Sequence, residues 1–356
     1  MNEFKGVLHE SAVRFPMTDI WMDSCGEEEL NYGLERGIVG ATSNPIIVAN
    51  VIKNEIAIWE ERIKALIKEM PAATEDDIAW AIIHEIGALR SKKLLPVFEQ
   101  HQGKKGRLSI QTNVKYYRDS RKMIDQALFL NSLGENTQIK LPACEAGIEA
   151  IKELTYCGVS VNATVSFTVA QAVAVAEAVE HGLERRKAEN LDSSMMAPVC
   201  TIMIGRTDDW VKACVNKTGD VIKPEALEWA GVAVIKEAYR IFKERGYRTK
   251  LLSAANRNVY HWSELVGGDL AQTINYNWHK RLNDSHYPVE DRMAIPVNPE
   301  YLEELKKIPD FCKSFDEKGM DIREFETYGG FKDTLNTFIS GYADLCEFVR
   351  GYMIVK

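Results

Sequence analysis

The chain alternates between short, mostly apolar segments and longer amphipathic ones over most of its length. The short segments have the length of buried strands, and helical periodicity follows many of them. Eight strands joined by helices favour a closed (β/α)8 barrel, the TIM-barrel fold. The predicted strands are Thr18–Asp23, Ile38–Ser43, Arg107–Thr112, Gln138–Leu141, Val159–Thr164, Val199–Gly205, Lys250–Ala255 and Ala271–Ile274.

Helical segments are predicted between these strands and beyond the last one. After Pro288 we expect two or three helices, the last from Lys332 to about Phe348. We therefore predict one domain over residues 1–356, with a barrel core of about 18–285 and a helical C-terminal extension of about 290–356. The predicted inter-strand helices are Glu27–Arg36, several up to about Gln100 with a break at residues 71–75, Asp119–Leu133, Glu145–Cys157, Thr168–Arg186 and Pro224–Gly246.

A doubly wound open sheet is the alternative architecture. No Gly-rich GxGxxG or GxxxxGK[ST] loop follows any predicted strand, so nucleotide-binding interpretations lose their usual support. Seven histidines show no HxH, HxxxH or HExxH spacing, so a zinc-dependent aldolase would lack its usual ligands, and we predict no metal site.

Composition and charge narrow the range of partners. The chain is 46% hydrophobic and 27% charged, as in ordinary globular proteins. A net charge of -8 without a long basic run argues against nucleic acid and membrane surfaces as partners. The uncharged stretch Leu154–Ala176 contains several polar residues and fits a strand, turn and helix better than a membrane span. Residues 1–5 lack the apolar core of a signal peptide, so we expect a cytoplasmic protein.

Polar residues follow or end nearly every predicted strand, where barrel enzymes carry their catalytic groups. A purely structural barrel does not require this pattern. The residues are Asp23, Asn44, Gln111, Lys140, Asn162, Thr164, Arg206 and Arg257.

Lys140 is the most informative of these residues, because it lies within an apolar strand between Ile139 and Leu141. Burial lowers the pKa of a lysine, and a neutral amine is what Schiff-base chemistry on a ketone requires. The alternative is a lysine whose ammonium reaches the solvent at the barrel rim.

Each other candidate also has a structural alternative. Asp23 shares a strand face with Asp19, about 13 Å away, and is either a proton-transfer group or a cap for the helix after Gly26. Asn162 and Thr164 share a face and form either a substrate contact or a satisfied polar layer of the interior. Arg206 and Arg257 suit a phosphate, or else form surface salt bridges.

Several motifs together resemble the transaldolase family. Thr42-Ser43-Asn44-Pro45 is similar to its T-[TS]-N-P signature, and residues 139–147 resemble the stretch around its Schiff-base lysine. Residues 161–164 resemble its strand-five N-x-T, while Gly205-Arg206 and Arg257-Asn258 fit the later strands. The similarity runs from about Thr18 to Leu282.

The resemblance implies transfer of a dihydroxyacetone unit between sugar phosphates of the pentose phosphate pathway, without metal or cofactor. Lys140 would form the imine, and Asp23 would act as acid and base on the hydroxyl beside the cleaved bond. Thr164 would help place a catalytic water. Asn44, Asn162 and Thr201 would contact the substrate, and Arg206 and Arg257 would bind its phosphate.

Three positions differ from the family pattern and leave alternatives open. Gln111 replaces a glutamate on strand three, as in the related fructose-6-phosphate aldolases, while Met203 fits neither group and Ala255 replaces a serine. A glutamine orients water but does not exchange its proton at neutral pH. The alternatives to a transferase are therefore a lyase that releases free dihydroxyacetone and a weakened sugar-phosphate-binding barrel. A homodimer is a possible assembly.

Overall fold

Eight parallel strands form the centre of the molecule. A computed structural model describes residues 4–354; residues 1–3 and 355–356, which include part of the segment considered for a signal peptide, lie outside it. The strands are β1 (Asp19–Met22), β2 (Gly40–Thr42), β3 (Arg107–Gln111), β4 (Thr137–Pro142), β5 (Val161–Ser166), β6 (Val199–Ile202), β7 (Lys250–Ser253) and β8 (Ala271–Ile274).

Helices connect the strands and surround them. Short 3-10 helices occur at Val114–Tyr116, Pro224–Glu228 and Ile322–Thr327. The α-helices are α1 (Val7–Arg14), α2 (Glu27–Leu34), α3 (Pro45–Asn54), α4 (Ile56–Glu69), α5 (Glu75–Gln100), α6 (Ser120–Asn131), α7 (Glu145–Tyr156), α8 (Val169–Ala188), α9 (Ile204–Thr218), α10 (Ala230–Arg245), α11 (Tyr260–Ser263), α12 (Tyr276–Asn283), α13 (Pro299–Leu305), α14 (Pro309–Phe315) and α15 (Gly329–Met353).

The sheet is a closed barrel in which the strands follow one another in sequence order and β1 pairs with β8. Nearly every strand residue is buried, because one face points into the barrel and the other contacts the helices. The (β/α)8 prediction is therefore confirmed, and the open doubly wound sheet is excluded.

Two predicted boundaries around the sixth strand are wrong. The strand was expected to reach Gly205, but β6 ends at Ile202 and α9 begins at Ile204. The predicted helix Pro224–Gly246 is a 3-10 turn followed by α10, with Trp229 between them. Apolar residues continue through both junctions, so the hydrophobic pattern does not mark where the backbone conformation changes.

The predicted helical extension is present, and its last helix packs back onto the barrel. Helix α15 contacts α3, α5, α9 and β5, so it lies against several different sectors of the fold. Its aromatic residues Phe331 and Phe338, with Tyr328 before it, are buried. The extension thus belongs to the same hydrophobic core as the barrel.

The uncharged stretch Leu154–Ala176 contains the end of α7, strand β5 and the start of α8, as predicted. Across residues 4–354, none of the helices has the length and apolarity needed to span a membrane.

Gly147 sets how closely α7 approaches the end of β4. A Cβ atom at this position would lie 1.8 Å from the carbonyl oxygen of Pro142. We expect Gly147→Ala to lower the free energy of unfolding by about 1–3 kcal/mol, because the strand end and the helix must move apart. Chemical denaturation followed by circular dichroism measures this change.

Gly351→Ala is the matched control, since a Cβ atom added there meets nothing in residues 4–354 within 4 Å beyond its chain neighbours and the backbone of its own helix. It should leave stability unchanged or raise it by up to about 1 kcal/mol, because alanine favours an exposed helix. Equal effects of the two substitutions would contradict the packing argument.

Candidate active site

Three predicted site residues form one row across the middle of the barrel. In the parallel pairing, Lys140 of β4 lies beside Gln111 of β3 on one side and Asn162 of β5 on the other. Paired residues of parallel strands present their side chains to the same face. All three side chains are buried, so the row contributes an amine and two amides to the barrel interior.

Lys140 is enclosed by protein rather than extended to the rim. Only 5% of the residue is exposed, and its Nζ atom donates to the carbonyl oxygen of Ser43, 3.3 Å away, after β2. Burial lowers the pKa of Lys140, whereas the carboxylate of Asp23 acts in the opposite direction. The solvent-reaching alternative is therefore excluded by the geometry.

Asp23 directly follows β1 and is held by a hydroxyl from the neighbouring strand. Thr42 Oγ1 donates to Asp23 Oδ1 at 2.6 Å and lies 2.9 Å from the hydroxyl of Thr273. Because the single hydroxyl hydrogen of Thr42 is used toward Asp23, Thr42 Oγ1 accepts a hydrogen bond from the hydroxyl of Thr273. The capping alternative is wrong, because α2 has Gly26 at its N-cap and no side-chain cap.

Asp19 occupies the opposite end of β1, as the strand spacing predicted. Its carboxylate forms ion pairs with Lys105 at 2.6 Å and Lys250 at 2.9 Å. Asp19 at the start of β1 and Asp23 just after its end therefore serve different ends of the barrel.

Asn162 connects three strands through its side-chain amide. Its Nδ2 donates to Ser109 Oγ at 3.0 Å, and its Oδ1 accepts from Thr201 Oγ1 at 2.7 Å. The pairing of β5 with β6 is irregular between Ala163 and Ser166, and Val165 has a φ of 53° in the left-handed region. Such a bulge is common beside active sites.

Two site residues have buried polar atoms that make no hydrogen bond with residues 4–354. These atoms are the Gln111 Oε1 and the Thr164 hydroxyl. Both are on strands that flank Lys140, so each is available to a bound molecule. Asn44 differs, since its Oδ1 caps α3 by accepting from the Ile47 amide at 2.9 Å, which leaves its Nδ2 free to donate.

The two candidate phosphate-binding arginines have different surroundings. Arg206, in the first turn of α9, is half-buried and pairs with no carboxylate in the described chain. Helix α15 lies against it, with Thr334 Oγ1 3.4 Å from Nη1 and the Phe338 ring 5.8 Å from Cζ. Burial and the nearby Arg257 lower the pKa of Arg206.

Arg257 is more exposed and is turned toward Asp209. Its Nε and Nη2 both donate to that carboxylate, with a shortest distance of 2.7 Å. The surface-salt-bridge alternative therefore describes Arg257 in this conformation, whereas Arg206 has no such pair. The two guanidinium groups remain electrostatic neighbours.

A buried histidine connects the segments that carry both arginines. His261 Nδ1 accepts from the backbone N–H of Arg257 at 3.1 Å, and its Nε2 lies 2.8 Å from Asp208 Oδ2. Since Nδ1 accepts, Nε2 is the nitrogen that donates to Asp208. Asp208 Oδ1 in turn accepts from the Gly231 amide at 2.8 Å. No sequence motif indicated this contact, because the two residues are 53 positions apart.

Asn256 is a second residue that sequence reasoning passed over. It is 3% exposed, and both polar atoms of its side chain lack partners in residues 4–354. It stands between Ala255, whose φ is 66°, and Arg257. A buried amide with free donor and acceptor groups beside the arginines is a candidate substrate contact.

The donor set of this site is poor in metal ligands. Within the described chain, no group of three or more His, Cys, Asp or Glu side chains is arranged to hold a metal ion. The interior around Lys140 offers amides, hydroxyls and one carboxylate.

The chain is similar to proteins named transaldolase over most of its length. The family model described as transaldolase/fructose-6-phosphate aldolase matches residues 20–346. A transaldolase of Thiobacillus denitrificans is 28% identical over 298 residues, covering 76% of this chain and 82% of that protein. A transaldolase of Trichodesmium erythraeum is 27% identical and covers 84% and 87%. The protein named transaldolase 2 of Nostoc punctiforme is 30% identical and covers 81% and 84%.

Because burial lowers the pKa of Lys140, its reactivity should depend on pH in a characteristic way. Cyanate modifies only neutral amines, so the modification rate rises as the lysine loses its proton. We expect Lys140 to reach its half-maximal rate at lower pH than Lys64, whose ion pairs with Glu60 and Glu61 raise its pKa. Peptide mass spectrometry over a pH series measures both residues.

The variant Asp23→Asn removes the carboxylate that raises the Lys140 pKa. The pH at which Lys140 reaches its half-maximal modification rate, the midpoint, should therefore be lower in the variant than in the unchanged protein. The midpoint for Lys64 should stay constant and serves as the internal control. An unchanged Lys140 midpoint in this variant would exclude an electrostatic contact between the two groups.

Proposed function

This chain belongs to the transaldolase/fructose-6-phosphate aldolase family, and on that premise we propose that it transfers a dihydroxyacetone unit from a ketose phosphate to an aldose phosphate. Fructose 6-phosphate and sedoheptulose 7-phosphate are the donors we propose. The observation that carries the proposal is a buried lysine of lowered pKa, with an amide on each side and Asp23 as its nearby carboxylate.

Lys140 is the proposed nucleophile. Its neutral amine adds to the ketone carbon, and loss of water gives an imine that bonds the substrate to the enzyme. Protonated on nitrogen, the imine withdraws electrons from the adjacent carbons. Burial supports this role because it favours the neutral amine that must attack first.

Asp23 is the proposed acid and base. It accepts the proton of the hydroxyl on the carbon beyond the bond to be cleaved, and that oxygen forms the carbonyl of the departing aldose. The electron pair of the broken carbon–carbon bond moves into the imine and leaves an enamine on Lys140. Addition of an acceptor aldehyde reverses these steps, and Thr42 holds the carboxylate in place throughout.

The remaining site residues are proposed to position substrate and water. Asn44 offers its amide Nδ2, and Asn162 with Thr201 offers a hydrogen-bonded pair for substrate hydroxyls. Thr164 is proposed to place the water that hydrolyses the imine, since its hydroxyl has no protein partner in residues 4–354.

Arg206 is the proposed main phosphate contact, because it is a half-buried cation that pairs with no carboxylate of residues 4–354. Arg257 is proposed to leave its ion pair with Asp209 and to bind the phosphate instead. The side-chain amide of Asn256 is proposed to donate to the same phosphate. His261 is a proposed positioning residue, since it holds the Arg257 backbone.

The deciding experiment follows glyceraldehyde 3-phosphate from fructose 6-phosphate, with and without erythrose 4-phosphate. Product only in the presence of acceptor is the result we expect. Product without acceptor would show a lyase. If no product forms under either condition although fructose 6-phosphate binds, the protein is a sugar-phosphate-binding barrel without turnover. That result would contradict the proposal.

Borohydride trapping tests the lysine assignment directly. Incubation with fructose 6-phosphate and borohydride should add a reduced dihydroxyacetone unit to Lys140, detected by peptide mass spectrometry. Lys140→Met should abolish trapping and lower turnover by at least about a thousandfold, since the covalent route is lost. Lys64→Met, an exposed lysine on α4, is the control and should trap normally. Undiminished trapping in Lys140→Met would refute the assignment.

Gln111 supports the lyase as the second candidate, because an amide beside the lysine does not exchange protons. We expect Gln111→Glu to raise the rate of acceptor-dependent transfer. We also expect it to shift the pH profile of trapping to higher pH, since a carboxylate beside Lys140 favours the lysine ammonium. Gln111→Met, which keeps the volume without hydrogen bonding, is the control. An unchanged rate and pH profile in Gln111→Glu would remove this residue from the mechanism.

We further propose that the reaction belongs to the pentose phosphate pathway and takes place in the cytoplasm. The exchange of ketose and aldose phosphates is what that pathway requires, and the acidic, globular composition is compatible with this location. A homodimer is the proposed assembly, to be tested by light scattering.

A further inference from the structure

A positively charged cavity lies at the end of the barrel opposite Lys140. Its volume is about 270 Å³, below the roughly 300–1,000 Å³ of pockets that take drug-sized ligands. Arg107 and Lys250, which begin β3 and β7, line it together with Asp19 at the start of β1. We call it the basal cavity, because the amino ends of the strands surround it.

Cations greatly outnumber anions in the lining of the basal cavity. Lys104, Lys105, Arg107, Arg248 and Lys250 line it, against the single carboxylate of Asp19. Lys105 and Lys250 both pair with Asp19, and Lys250 also pairs with Asp269 at 3.1 Å. The carboxylate is therefore already shared by two lysines.

The other three cations form no ion pair with any carboxylate of residues 4–354. Backbone carbonyls of the segment 193–196 hold them instead: Lys104 donates to Ser194, Arg248 to Ser193 and Met196. Arg107 donates to Met195 at 2.8 Å and to Thr137 at 3.1 Å. Three residues that line the cavity thus carry positive charges that no carboxylate of residues 4–354 pairs with.

Two buried N–H groups of lining residues also have no acceptor in the described part of the chain. They are Nε of Arg107 and Nε1 of Trp21, and the residues are 6% and 5% exposed. Buried donors are nearly always satisfied in folded proteins. Burial without a counterion also lowers the pKa of Arg107 to about 10. A bound anion would satisfy both N–H groups and compensate the charge.

From this arrangement we propose that the basal cavity binds a small phosphate-bearing anion, at a site separate from the one that carries Lys140. Guanidinium and indole N–H groups donate to the phosphate oxygens, and the lysine and arginine charges balance the dianion. The ligand is either inorganic phosphate or a small phosphate monoester, since both present the same group.

The basal cavity lies directly beneath the row of site residues. Gln138, which lines the cavity, accepts from Ser109 Oγ at 2.6 Å, and Ser109 Oγ accepts from Asn162 at 3.0 Å. One layer of hydrogen-bonded side chains therefore separates the two sites.

Calorimetric titration at low salt tests the proposal, with inorganic phosphate and with glycerol 3-phosphate as separate probes. The Arg206→Ala/Arg257→Ala double variant is the background, because it removes the proposed phosphate contacts at the other end of the barrel. Saturable binding of one equivalent in this background is expected. The tighter of the two probes identifies the source of the phosphate group. No turnover is measured, so failure of the proposed transferase activity would leave this result unaffected.

Added substitutions then locate the bound anion. Lys104→Gln/Arg248→Gln should weaken binding at least about tenfold, whereas Arg121→Gln/Lys122→Gln, the same charge change on exposed α6, should not. Trp21→Phe keeps an aromatic side chain but replaces the indole and so removes its N–H, and it should weaken binding about tenfold. Absence of saturable binding in the background variant, or equal losses in the two charge-matched pairs, would overturn the proposal.

Discussion

The transfer of one lysine amine from water into the barrel interior is the constraint on which the site depends. An ammonium in an apolar interior is costly, so Lys140 is stable there only as a neutral amine or with compensating groups nearby. The Ser43 carbonyl and the Asp23 carboxylate provide part of that compensation. The neutral amine that burial favours is also the form that attacks a carbonyl.

The barrel keeps its polar interior in place by connecting strands through side chains. Thr42 ties Asp23 to Thr273, and Asn162 bridges Ser109 and Thr201. Because these hydrogen bonds run between strands, each site residue is held by its neighbours as well as by its own backbone. Atoms that remain without protein partners in residues 4–354, such as Gln111 Oε1, are therefore conspicuous.

Two elements distant in sequence complete the region around the arginines. Helix α15 brings Thr334 and Phe338 to Arg206, and the His261–Asp208 pair connects the Arg257 loop to α9 and α10. The C-terminal extension thus contributes to the surroundings of the candidate site in addition to the core. At the opposite end, the segment 193–196 orients the cations of the basal cavity in a comparable way through its carbonyls.

The sequence by itself determined the number and order of the strands and the identity of the residues at their ends, and it favoured a closed barrel over an open doubly wound sheet. Short, mostly apolar segments and helical spacing are local properties, so β8 was predicted with its observed bounds, Ala271–Ile274. Where apolar residues continue across a junction, as from β6 into α9, the local pattern does not locate the boundary. Only the tertiary structure decided that Lys140 is enclosed, that Arg257 faces Asp209, and that His261 contacts Asp208. Those features depend on contacts between residues far apart in the chain, which no local spacing encodes.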